Sequence, residues 1–318
     1  MMGGAEGHVP VLAEAALEWL NVRPEGIYVD ATAGAGGHSS LIAARLRGGR
    51  LIALDRDPSA VARTRERLRP YPCAEVRHGN YGQLDEVLAV VRIDTVDGVL
   101  IDAGVSSMQL DDPARGFSFQ DDGPLDMRMD TSASVSASEY LSQLTEDELA
   151  DALRRYGDVG PVRRIARAIL RRRDEGALRR TRDLVDAVRE GLGVARDIPE
   201  ETRTVFQAIR IAVNGELDWL EQGIRQAIAV LNPGGRLVVI SFHSGEDRVV
   251  KETLRAASRP RRILRPDGRV AGTIDPVLRL LTPKPIVPDS REMVSNPRSK
   301  SARLRAAERL GPSRTEAG

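Results

Sequence analysis

Cysteine is almost absent from this chain: Cys73 stands alone among 318 residues. One thiol can form neither an intramolecular disulfide nor a multi-cysteine metal site, and its isolation suits a reducing cytoplasm. Histidine is scarce as well, with His8, His38, His78 and His243 scattered and without zinc-ligand spacing. No metal is expected. Aromatic residues make up 3% of the chain, so any surface that stacks on a base must be built from few rings. No run of about 18 apolar residues occurs, which excludes a spanning helix. The opening MMGGAEGHVPVL lacks the basic-then-apolar order of a secretory leader, so a cytoplasmic location without a membrane is expected. Internal repeats and low-complexity tracts are missing too.

What is present is charge, and it is segregated. The formal net charge is +1, yet residues 154–182 hold eleven Arg against three acids, and residues 251–318 hold sixteen Lys and Arg against seven acids. The remainder is strongly acidic. Two basic segments on an otherwise acidic protein point to a polyanionic partner, and phosphate contacts are expected at 163–182 and 298–309. The length suits one large domain or two ordinary ones.

Short apolar runs alternate with helical patterns in the first third. Strands are expected at Ile27–Val29, Arg50–Leu54, Ala74–Arg77 and Val96–Ile101, with helices near 10–20, 41–46, 58–68 and 84–91. Pro58 fits a first helical turn. Strands and helices at this pitch make βαβ units and a parallel sheet. The alternation then stops for more than a hundred residues, where helices are expected near 138–156, 162–173, 181–191 and 200–213. Thr145-Glu-Asp-Glu148 reads as a capping box. Helix 216–231 and strand 236–241, after the turn Asn232-Pro-Gly-Gly235, return the chain to the sheet. The expected organisation is a doubly wound α/β domain over 1–110 and 214–318, with an inserted all-helical substrate-recognition domain over 111–213. The stretch from Asn296 is expected to begin as a basic helix and to end in a disordered terminus.

The chain is organised around Ile27–Ser39, IYVDATAGAGGHS. A strand, a glycine-rich turn and a helix N-terminus bring bare backbone N–H groups to a ligand, because glycine carries no Cβ. A dinucleotide turn needs a third glycine where Ser39 stands. Asp30 before the loop suits a ligand with a cationic amino group better than it suits a pyrophosphate. Asp55 ends the second strand, where a carboxylate can accept both ribose hydroxyls, and Asp57 is better placed to cap the following helix. Tyr81 follows the third strand, where its ring can pack beside an adenine. Asp102 ends the fourth. This pattern resembles that of class I S-adenosylmethionine-dependent methyltransferases.

After the fourth strand, amino-group methyltransferases usually carry D/N/S-P-P-aromatic. Here the stretch reads Asp102-Ala-Gly-Val-Ser-Ser-Met-Gln-Leu110, which keeps the acid and lacks both prolines. Together with GGHS, LDRDP, DAGVSSMQLDDPARGFSFQDDGPLDMRMD, ISFHSGEDRVVK and SNPRSKSARLRAAER, it resembles the ribosomal RNA small-subunit methyltransferase H family, also called MraW, from His8-Val-Pro10 to the basic tail. The resemblance implies a Rossmann-like class I methyltransferase sheet with an inserted helical domain. It also implies methylation of the N4 amine of one cytidine in the decoding centre of bacterial 16S ribosomal RNA, with S-adenosylmethionine as donor. The family's donor contacts fall on Gly36, Gly37, His38, Asp55, Tyr81, Asp102 and Gln109. Members often carry phenylalanine at Tyr81, proline at Met108 and leucine at Gly245; none of these changes removes a polar group.

The expected chemistry is direct methyl transfer, with Asp102 accepting an N4–H hydrogen bond and orienting the donor. Ser106 and Ser107 are candidate base-edge contacts, although serines in a tight loop often hold the loop itself. Phe117 and Phe119 are candidates for stacking on the base, worth roughly 1–3 kcal/mol, or for core packing. His243 is a candidate for facing the cleft or ordering its loop. The expected partner is 16S ribosomal RNA within the small ribosomal subunit, and a homodimer stays open. Two rival readings are an RNA-binding ribosome-assembly factor with a vestigial donor pocket and a DNA amino-methyltransferase.

Overall fold

The computed structural model describes residues 10–132, 135–157, 160–264 and 269–311; His8 and the expected disordered end at 312–318 lie outside them. In chain order the first elements are α1 (Ala13–Leu20), β1 (Ile27–Asp30), α2 (Gly37–Ala43), β2 (Arg50–Asp55), α3 (Pro58–Leu68), β3 (Ala74–His78), α4 (Leu84–Val90) and β4 (Val96–Asp102). There follow α5 (Ser107–Asp111), α6 (Ala137–Gln143), α7 (Glu146–Gly157), α8 (Val162–Asp174), α9 (Thr181–Leu192), α10 (Glu201–Asn214) and α11 (Glu216–Val230). The chain ends through β5 (Leu231–Ser241), α12 (Ser244–Ala257), β6 (Arg261–Leu264), β7 (Val270–Ile274), β8 (Leu278–Leu280), α13 (Ser290–Ser295) and β9 (Arg303–Arg309).

Seven strands form one sheet in the order β3-β2-β1-β4-β5-β9-β8. The first five are parallel, and β9 runs antiparallel to both neighbours. The strand order reverses between β1 and β4, and the crevice at such a switch point is where doubly wound sheets take ligands. Both faces are covered. Val29, Ile52, Leu54, Val99, Ile101, Leu237 and Val239 pack on one side with residues of α4, α11 and α12. Tyr28, Leu51, Ala53, Leu100, Val238 and Ile240 pack on the other with α1 and α2. Burial on both faces is why these strands read as continuous apolar runs.

Met1–Gly104 with Leu217–Gly318 forms one compact unit, and Val105–Glu216 forms a second. The second has its own core, including Leu149, Leu153, Ile165, Ile169, Leu184, Val188, Val205 and Phe206. Val105 and Leu110 pack against that core, so the helical unit starts six residues earlier than the sequence pattern suggests. The expected helix 138–156 is two helices, broken where Thr145 and Glu148 form the anticipated capping box: Glu148 Oε2 accepts the Thr145 N–H at 2.9 Å. Asp57 caps α3 by accepting the Ser59 N–H at 2.9 Å, with Pro58 in the first turn.

Two expectations are corrected. Helix α2 starts at Gly37, inside the glycine loop, four residues before its apolar pattern begins. The tail is not a basic helix: after a short 3-10 turn at Pro297–Ser301, Arg303–Arg309 forms an interior strand of the sheet. Leu304, Ala306 and Ala307 are buried, and the alternation within RLRAAER was masked by its charges. Arg305 is 8% exposed and forms two hydrogen bonds with Asp247, at 2.7 and 3.1 Å.

Candidate active site

The loop after β1 is held from several sides. Gly36 lies at φ +77°, a left-handed conformation that costs glycine nothing. Its neighbour Gly34 donates its N–H to Asp55 Oδ2 at 2.7 Å, and the Thr64 hydroxyl donates to the Gly34 carbonyl at 2.9 Å. Ser39, which fills the place of a third glycine, donates to Asp30 Oδ2 at 2.5 Å. That bond gives the serine a job the motif comparison could not show. Asp30 is fully buried, so it braces the loop and does not reach a ligand's amino group as its position suggested. Burial pushes its pKa up, against His38, Ser39 and Thr32, which favour the ionised form.

His38 and Asp102 meet at the switch point. His38 is 4% exposed, and its Nε2 stands 3.6 Å from Asp102 Oδ2, beyond hydrogen-bonding distance. Among the described residues neither ring nitrogen has a hydrogen-bond partner, and neither does Asp102 Oδ1. Buried polar atoms left open in one place need a partner, and a bound ligand can supply it. Burial opposes a charge on the imidazole, but Asp102 outweighs it, helped by Asp30 and the Val11 backbone, and the His38 pKa is raised. The Thr32 hydroxyl accepts the Asp102 N–H at 2.6 Å and fixes the end of β4. Thr32 lies inside the glycine-rich stretch, and nothing in its spacing announced that role.

Asp55 accepts the N–H groups of Gly34 and, at 2.8 Å, Asp57. Burial dominates those two bonds and raises its pKa to about 6. An ionised carboxylate offers about four lone-pair sites, so acceptor capacity remains for hydroxyls. Tyr81 is 8% exposed, and its ring lies where a Cβ on Gly223 of α11 would come within 2.3 Å of its Cδ2. Gly82 is seated in the same way under Trp219. These two glycines let aromatic rings lie flat on the backbone, a wall that motif reading missed on the α11 side.

Ser106, Ser107, Gln109, Phe117 and Phe119 belong to the helical unit. Ser106 Oγ accepts the Gln109 N–H at 3.3 Å, and Gln109 Oε1 accepts the Ser106 N–H at 3.0 Å, a reciprocal cap on α5. The Ser106 hydroxyl is therefore engaged in holding its own loop. Ser107 follows as the first residue of α5. Phe117 is buried, and Phe119 meets Phe206 edge-to-face at 5.4 Å. Both pack with the helical core and are not displayed as a stacking platform. His243 caps α12: its Nδ1 accepts the Glu246 N–H at 3.4 Å, and Glu246 Oε2 accepts the Phe242 N–H at 2.7 Å.

The basic segments are less open than their composition suggests. Arg163 and Arg167 pair with Glu146, Arg171 and Arg172 pair with Glu190, and Arg180 pairs with Asp122. Among the described residues, the guanidinium groups of Arg164, Arg179 and Arg182 form no ion pair, and neither does that of Arg309 in the second segment. Among the described residues no cluster of His, Cys, Asp or Glu could hold a metal ion, and no helix is long and apolar enough to cross a membrane.

The corner fits S-adenosylmethionine in its chemistry. It offers bare backbone at Gly34–Gly37, a carboxylate at the end of β2, an aromatic wall after β3, and open buried polar atoms on His38 and Asp102. Comparison with known proteins agrees. The profile of the MraW methylase family matches residues 5–310. The ribosomal RNA small subunit methyltransferase H of Geotalea daltonii is 47% identical over 313 residues, covering 95% of this chain and 98% of the relative. The protein of that name from Sorangium cellulosum is 46% identical, covering 96% and 92%. A solved rRNA methylase from Streptococcus thermophilus superposes only loosely, with a TM-score of 0.43 at 12% identity over 94% of both chains, so sequence kinship carries the assignment. On that kinship, end to end, the chain belongs to the MraW methylase family.

Proposed function

We propose that this protein methylates the N4 amine of a cytidine in the decoding centre of 16S ribosomal RNA, in the cytoplasm, on RNA held in the small ribosomal subunit. The observation that carries the reading is the Asp30–His38–Asp102 group at the switch point, where both His38 ring nitrogens and Asp102 Oδ1 are buried without a hydrogen bond among the described residues.

S-adenosylmethionine, when bound, supplies an electrophilic methyl group. Gly36, Gly37 and His38 would hold its amino-acid end, Asp55 its ribose hydroxyls and Tyr81 its base, and Gln109 is proposed as a further donor contact. Aligning N4 with the methyl group is the main catalytic task. An exocyclic amine delocalises its lone pair into the ring, so an acceptor on N4–H returns electron density to nitrogen. Asp102 Oδ1, buried and without a partner, is the acceptor we assign to that task. As N4 gains the methyl carbon it loses one proton, and a carboxylate flanked by His38 can receive it. Ser106 would order the loop it caps, and Ser107 is proposed as a base-edge contact. Arg164, Arg179 and Arg182 would contact phosphates.

Mapping methylated nucleotides in ribosomal RNA from cells lacking the protein tests the assignment. Loss of a single N4-methyl mark is the expected result; an unchanged map refutes it. Calorimetry with S-adenosylmethionine separates an enzyme from an assembly factor whose pocket is vestigial, since the latter binds no donor.

A further inference from the structure

A second concavity lies beside the donor corner. It measures about 220 Å³ and is lined by Phe242, His243, Ser244, Lys300, Ser301 and Arg303, among others. Its walls come from two places that the sheet brings together. Residues 242–244 follow the carboxyl end of β5, and residues 300–303 lead into β9, where Ser241 pairs with Arg303. Asp102 pairs with Ile240 on the other side of β5. The cavity therefore opens at the same edge of the sheet as Asp102, one strand over, which is about 5 Å sideways.

Its lining is cationic and rich in donors. Lys300 is exposed and makes no ion pair or hydrogen bond among the described residues. Arg303 Nη1 lies 3.2 Å from Asp247 Oδ2, but Asp247 is shared with buried Arg305, so one carboxylate faces two guanidinium groups. The other nearby carboxylate, Glu246, is buried: its Oε2 accepts the N–H groups of Phe242 and His243, and its Oε1 lies 3.2 Å from His243 Nε2, so Lys300 is the cation of this lining that no carboxylate answers among the described residues. The Ser244 and Ser301 hydroxyls complete the rim. The volume is below the roughly 300–1,000 Å³ of sites that enclose a whole small molecule, which suits a single anionic group.

The geometry points to a phosphate site: the cavity holds a phosphodiester group of the RNA next to the target nucleotide, with Lys300 as its main contact. The site rests on the proposed RNA substrate and adds where the backbone of that RNA is gripped. Lys300 binds and positions; it does not take part in methyl transfer. One phosphate held this close to Asp102 fixes where the adjoining base can enter.

The test uses the full-length protein with small ribosomal subunits from cells lacking it, and measures kcat and KM across a salt series. Charge-assisted hydrogen bonds contribute about 1.5–3 kcal/mol, so Lys300→Glu should raise KM about tenfold or more while leaving kcat and donor affinity unchanged. The slope of log affinity against log salt should shrink by about one. Lys300→Arg should restore both. Inorganic phosphate should compete with the subunit for the wild type and lose that effect in Lys300→Glu, whereas cytidine without phosphate should not compete through this site. A KM and salt slope equal to wild type in Lys300→Glu would overturn the proposal, as would a fall in kcat alone. No methyl transfer by the wild type would instead refute the RNA reading itself.

Discussion

The sheet unit and the helical unit both hold many carboxylates, and they use them in opposite ways. In the helical unit Glu146, Asp122 and Glu190 sit on the surface and each answers one or two arginines. At the carboxyl edge of the sheet, Asp30, Asp55 and Asp102 pair with no arginine or lysine among the described residues; they meet backbone N–H groups, a serine and a buried histidine. Water screens the first group, so its pairs contribute little. Burial controls the second group and raises the pKa values of Asp30 and Asp55. Unequal environments for one residue type separate structural acids from chemical ones.

That contrast can be broken in several places. The largest effect on folding is expected where a sheet-unit carboxylate does have arginines. Asp247 and Arg305 are each 10% exposed, so Asp247→Ala leaves a buried guanidinium unpaired and should cost about 3–5 kcal/mol in denaturant unfolding. Next comes Asp102→Ala, which should lower single-turnover methyl transfer by about a hundredfold at saturating donor and subunit. Full turnover would show that the open carboxylate atom has no chemical role.

Asp55 gives a pH dependence whose sign follows from its raised pKa. Donor binding needs the ionised carboxylate, so donor affinity should hold above pH 6 and fall about tenfold per unit below it. Asp55→Asn should bind weakly at every pH. Stability of the empty protein should run the other way: the unfolded chain releases this proton near 3.8 and the folded chain near 6, so this group's contribution declines as pH rises between those values. Calorimetric titration and urea unfolding between pH 4 and 8 would check both signs.

Smaller effects belong to the helical unit. Reversing Arg164, Arg179 and Arg182 to Glu should weaken subunit binding and flatten its salt slope by about two to three, with donor affinity unchanged. Glu146→Ala, which frees Arg167 at the surface and leaves Arg163 with Asp147, should cost less than about 1 kcal/mol. A larger loss would mean that the surface network is a structural feature of the same rank as the Asp247–Arg305 pair.

Strands β1, β2 and β4 were legible because they are apolar on both faces and end in Asp. The acids at the ends of β1, β2 and β4 were legible for the same reason. What stayed hidden was decided by partners remote in sequence. Asp30 reads as a ligand contact until Ser39 is seen to close over it. Phe117 and Phe119 read as stacking rings until the helical core claims them. RLRAAER reads as a helix because its arginines obscure the alternation, and only the neighbouring β5 and β8 make it a strand. The basic run at 163–182 reads as an open surface because composition does not reveal that Glu146 and Glu190 face it.

The place of β9 has a consequence for how the protein is made. Its residues follow those of every other strand of the sheet, yet it sits inside that sheet, between β5 and β8. A chain emerging from the ribosome can assemble the helical unit early, because Val105–Glu216 is continuous, but the edge of β5 stays unpaired until residue 309 is free. Completion of the sheet therefore waits for residues 303–309. A truncation just before Arg303 would leave β5 as an open template for other strands, and Asp247 would lose both of its arginines at once.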